Sequence, residues 1–107
     1  VQISFHEATI REIHTFNRTI TIIVDEAIVD SVESSVRIEL HDVSSIHRDG
    51  VLIDALRMEK RDGEVLSLSE TSTGIDLIVE WNDFSPLVSE TRAYKVQCRE
   101  FSAIQCP

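Results

Sequence analysis

Ile75-Asp76-Leu77-Ile78-Val79-Glu80-Trp81 is the stretch that decides the fold. Ile75, Leu77, Val79 and Trp81 recur at every second position, the longest such series in the chain. Successive side chains of a strand point to opposite faces, so this spacing places all four on one buried face. Ile78, between Asp76 and Glu80, gives the second face partial cover. The same alternation recurs outward from this stretch. Ile20, Ile22 and Val24 repeat it, as do Val36, Ile38 and Leu40, then Tyr94, Val96 and Cys98, and more briefly Val1, Ile3 and Phe5, and Leu66 and Leu68. The abundant Ile, Val and Thr agree, because β-branched side chains lose rotamer freedom in helices and pack well on a pleated surface.

Only three glycines and two prolines punctuate the chain, so each turn signal carries weight. Arg61-Asp62-Gly63-Glu64 and His47-Arg48-Asp49-Gly50 read as tight hairpin turns, with Phe16-Asn17-Arg18 and Ser72-Thr73-Gly74 as weaker ones. Residues 51–60 fit either a short helix or a strand carrying Leu52, Leu56 and Met58. The strand is preferred, since an Asp-Gly hairpin would join it directly to residues 64–69. His6 to His14 is a weak helix candidate, with β-branched residues and no good cap. Residues 82–91 read as the longest irregular loop. The expected architecture is one mostly β domain over residues 1–107: an antiparallel sandwich or partly open barrel of about seven or eight strands. Its core should hold Ile22, Val24, Ile38, Leu40, Leu68, Leu77, Val79 and Val96.

Composition narrows function mainly by disfavouring classes. The net charge is −9, with 10 basic and 19 acidic side chains spread over both halves. Such a surface repels phosphate backbones and anionic lipid, so nucleic acid and membrane are disfavoured as partners and a basic protein is favoured. The apolar runs are too short to cross a bilayer as helices. Cys98 and Cys106 are too few for a disulfide framework and read as reduced thiols, Cys98 as a small core hydrophobe and Cys106 as exposed. Together with the lack of a signal peptide they favour the cytoplasm, while the start at Val1 without an initiator methionine leaves a removed leader open.

The four histidines, at positions 6, 14, 41 and 47, each have a carboxylate nearby, but no compact two-histidine spacing of a metal site occurs. Ser44, Ser45, His47 and Asp49 crowd into one turn, whereas a hydrolase triad is assembled from separate segments. Neither cysteine has the basic surroundings of a low-pKa nucleophile, and no glycine-rich phosphate loop is present. The expectation is a protein without catalytic residues, metal or cofactor. Trp81 reads first as a core residue with its indole N–H bonded at the rim. Its second reading is a contact anchor, because Phe84 and Leu87 follow it, beside Asp83 and Glu90. These five residues are the candidate partner-binding set. A small-molecule-binding β-barrel and a self-associating domain pairing through strand edges are the alternative classes.

The order Phe5-His6-Glu7-Ala8-Thr9-Ile10, Glu39-Leu40-His41-Asp42-Val43, Leu77-Ile78-Val79-Glu80-Trp81 and Tyr94-Lys95-Val96-Gln97-Cys98 resembles small acidic bacterial β domains. Some of these are uncharacterised and some are similar to immunity proteins that neutralise polymorphic toxins. The resemblance implies a cytoplasmic partner-binding protein without catalytic residues, and it carries no functional residue over.

Overall fold

The computed structural model describes residues 2–84 and 87–106. The expected place of Val1 on the first strand lies outside them. The described chain holds ten strands: β1 (Ile3–Ser4), β2 (Thr9–Phe16), β3 (Thr19–Val29), β4 (Val32–His41), β5 (Ser45–Arg48), β6 (Val51–Ile53), β7 (Asp62–Glu70), β8 (Gly74–Phe84), β9 (Leu87–Gln97) and β10 (Glu100–Gln105). All pairings are antiparallel and belong to one sheet, in the order β10-β4-β3-β2-β7-β8-β9-β5-β6, with β1 pairing the far end of β3.

The mostly β, antiparallel expectation therefore holds, with more strands than expected and in one sheet that does not close into a barrel. Ile20, Ile22, Val24, Val36, Ile38 and Leu40 from one half share a single buried cluster with Ile75, Leu77, Val79, Trp81, Tyr94 and Val96 from the other. Apolar faces at opposite ends of one sheet can meet only if the sheet rolls over on itself. The joint is short: β2 and β7 pair only at Thr9 with Glu64 and at Ile10 with Gly63. Bulges at Arg11, at Asp25-Glu26 and at Leu66 interrupt the ladders and add local bend. Ser44 N–H donates to Gln97 O and Arg99 N–H to His41 O, which extends the β5–β9 and β10–β4 ladders into the connections beside them. Of the expected core residues, Leu68 alone is only half-buried, packed against the cluster from outside it.

Three two-residue turns have positive φ at both positions: Asn17-Arg18, Asp30-Ser31 and Asp49-Gly50. Such turns match the right-handed twist of the strands they join. Two of them fall where the sequence signalled a turn, and Asp30-Ser31 carries no glycine to announce it.

The Asp62-Gly63 turn does not exist. Both residues lie inside β7, and Gly63 faces Trp81 directly across the ladder. A Cβ on Gly63 would lie 2.6 Å from Trp81 Cζ3, so the glycine makes room for the indole and does not bend the chain. The expected strand over 51–60 is likewise cut short. It runs only from Val51 to Ile53, and residues 54–61 are neither strand nor helix. The loop expected at 82–91 is the end of the long β8–β9 hairpin, laddered from Gly74–Gln97 to Phe84–Leu87. Polar residues hid it, because at this end of the sheet both faces carry charged or polar side chains. Ser85 and Pro86 lie outside the described residues.

Candidate functional site

The β8–β9 hairpin presents two different surfaces at the end where the candidate residues lie. Parity assigns Trp81, Asp83, Glu90, Arg92 and Tyr94 to the inner face of the rolled sheet, and Phe84, Leu87, Asn82 and Ser89 to the outer.

On the inner face Trp81 is 0% exposed. Its indole N–H donates to the Tyr94 hydroxyl at 2.8 Å, and that hydroxyl donates in turn to Glu59. Burial first, and then the Glu59 carboxylate, push the Tyr94 phenol well above its ordinary value. The other Glu59 oxygen accepts from Arg48 Nη1 at 3.1 Å and lies 3.6 Å from Arg92 Nε, too far for a hydrogen bond. Arg92 also pairs with Glu90 at 3.0 Å and with Asp49 at 3.2 Å. Burial opposes the Arg92 charge, but the hydrogen bond to Asp49 and the charges of Glu90 and Glu59 more than offset it and hold its pKa raised. Asp49 is held below the usual carboxylate range, first by the Ala93 backbone N–H and then, against some desolvation, by Arg92. Lys60, its side chain only 16% exposed, lies 3.7 Å from Asp83 and 3.9 Å from Glu90. Asp83 also accepts the Arg61 backbone N–H at 3.2 Å.

Of the five candidate residues, Trp81 takes its first reading, a core residue with its indole N–H bonded. Trp81 cannot meet a partner because no part of it reaches solvent. Asp83 and Glu90 pair with Lys60 and Arg92 while their side chains stay 32% and 42% exposed at the rim. The most exposed of the five are Phe84, at 66%, and Leu87, at 78%, opposite each other in the last described rung of the ladder. Beneath them on the same face, Ser89 Oγ donates to Asn82 Oδ1 at 2.6 Å. Further along that face Ile78 and Ala93 floor an open groove of about 770 Å³, bordered by His47, Asp76 and Lys95 of β5, β8 and β9.

Arg48, Glu59, Lys60 and Arg92 were not in the candidate set. Arg92 could have been found, since it shares the parity of Tyr94 and Val96 in a strand read as one-sided. Glu59 and Lys60 had no such signal, because their segment reads as an ordinary strand or helix.

Other chemistry is weakly served. Among the described residues no group of three or more His, Cys, Asp or Glu side chains could hold a metal ion. Cys98, read as a core hydrophobe, is half-buried against the core, and burial with Glu70 nearby pushes its thiol upward. Cys106, expected to be exposed, is also half-buried. Among the described residues no helix is long and apolar enough to cross a membrane. The chain matches no protein-family model, no curated protein and no solved structure.

Proposed function

We propose that this chain is a non-catalytic protein-binding domain that meets a basic partner through the outer face at the end of the β8–β9 hairpin. The observation that supports it is the Phe84–Leu87 pair, two large apolar side chains left in solvent side by side on a braced support. Single exposed apolar residues are common, but adjacent ones on a rigid element have the character of interface anchors. The brace is the inner-face network. With the two strands laddered out to Phe84–Leu87, and Trp81 packed on Gly63 and bonded to Tyr94, the hairpin end does not have to be ordered when a partner arrives, and that entropy cost is already met.

Charge supplies the direction of approach. A chain of net charge −9 attracts a cationic surface over a Debye length or so, which raises association rates more than it raises final affinity. The sharpest form of the reading is an immunity-type protein of a bacterial cytoplasm that covers a basic toxin. The test is a pull-down from the native host, followed by binding of the purified partner at low and high salt. Association should slow as salt rises. Phe84→Ala and Leu87→Ala should each weaken binding by about 1–2 kcal/mol, roughly fivefold to thirtyfold, with the fold intact by circular dichroism. A partner whose affinity ignores salt and both substitutions would overturn this function.

A further inference from the structure

Residues 54–61 leave β6 and enter β7, yet β5, β9 and β8 lie between those two strands in the sheet. Four inter-strand steps amount to about 19 Å, within reach of eight residues in a nearly extended course. The contacts record the path across the inner face. Glu59 meets Arg48 of β5 and Tyr94 of β9, and Lys60 then reaches Glu90 of β9 and Asp83 of β8.

The segment is held differently from everything around it. Its neighbours are laddered strands, whereas no backbone–backbone hydrogen bond ties residues 54–61 to another segment among the described residues. Leu56 is its one fully buried side chain, Met58 packs half-buried against the same core, and the remaining attachments run through Glu59, Lys60 and the Arg61 backbone N–H to Asp83. A segment fixed by two apolar side chains and a few polar contacts, with no backbone ladder, has less to lose on opening than a strand with two neighbours.

We infer that residues 54–61 form a strap that opens and closes as a unit of its own, with the sheet intact, and that Glu59 is its latch. Opening breaks the Arg48–Glu59 and Tyr94–Glu59 bonds together and uncovers the Trp81 indole N–H behind the Tyr94 hydroxyl. The inner end of the rolled sheet is then a gated face and not a sealed core. This inference rests on the path and attachments of the strap and is independent of the partner proposed above.

Trp81 is the only tryptophan, so its indole proton gives one unambiguous signal. Hydrogen exchange by NMR on the whole chain would compare its protection factor with those of the Ile22 and Val24 amides in β3. In the unmodified protein the indole should be protected at least about tenfold less than these amides. Glu59→Gln, which keeps the shape of the latch and removes its charge, should lower indole protection a further tenfold or so while the β3 amides shift by less than about threefold. Lys60→Met should act in the same direction from the other anchor. Equal protection of indole and β3 amides in the unmodified protein would overturn the inference, and that comparison decides the matter even if a variant fails to fold. A loss shared equally by all of them in Glu59→Gln would overturn it too.

Discussion

Gly63 and Tyr94 show how much one residue can settle here. Because a methyl group on Gly63 would meet the Trp81 ring at 2.6 and 2.8 Å, Gly63→Ala must shift a fully buried indole that is also tethered to Tyr94. Overpacking of this kind costs about 1–3 kcal/mol, and a lower unfolding midpoint in urea at unchanged m-value would show it. Tyr94 makes a second prediction, read in its own absorbance, since it is the only tyrosine. Its phenol is raised by burial and by Glu59, so the folded chain keeps a proton that the unfolded chain releases near pH 10. Above that pH the folded state binds more protons, and stability falls as pH rises; below it the contribution is fully present. Tyrosinate absorbance should therefore appear only together with alkaline unfolding. Tyr94→Phe should remove this link and, by leaving the Trp81 N–H without a partner, cost about 1–3 kcal/mol at neutral pH.

At the scale of elements, the Asp30-Ser31 turn gives the cleanest test. Both residues lie in the left-handed region, with φ of 48° and 72°, which costs a residue with a Cβ about 1–2 kcal/mol relative to glycine. Ser31→Gly should then stabilise the protein by about 0.5–1 kcal/mol once the greater freedom of glycine in the unfolded chain is set against the relief, measured as a rise in the unfolding midpoint. The same turn explains part of what the sequence conceals. Period-2 runs such as Ile75 to Trp81 and Val36 to Leu40 were legible because one face of each is wholly apolar. Turns were legible where glycine or an Asn-Arg step broke the pattern, and Asp30-Ser31 was not, because neither residue is diagnostic. Gly63 misled in the opposite direction: Asp-Gly has one appearance whether the glycine turns the chain or yields to an aromatic ring across the ladder. Of the candidate site, Phe84 and Leu87 stand exposed at the hairpin end. The core position of Trp81 followed from its place in the period-2 run, whereas the inner-face position of Asp83 and Glu90 was hidden, because it depends on a strand continuing through residues that look like loop and on cations supplied by β9 and by a segment from beyond β6.

The whole molecule is one sheet made to serve as two layers, and the cost of that economy falls on assembly. Most rungs join neighbours in sequence, but β10 pairs β4, β5 pairs β9 and β2 pairs β7 across long stretches of chain. Closing such distant contacts is entropically expensive, and sheets dominated by them fold in roughly milliseconds to seconds, where helical bundles take microseconds. During that interval the outer edge of β4, with Val36, Ile38 and Leu40 along it, stays unpaired until Gln105, Ala103 and Phe101 of β10 arrive. An apolar strand edge in a half-formed sheet is a template for any other chain in the same state. The negative charge that would draw a cationic partner to the finished fold has an earlier use: it holds unfinished copies of the chain apart during the time when they could stick to one another.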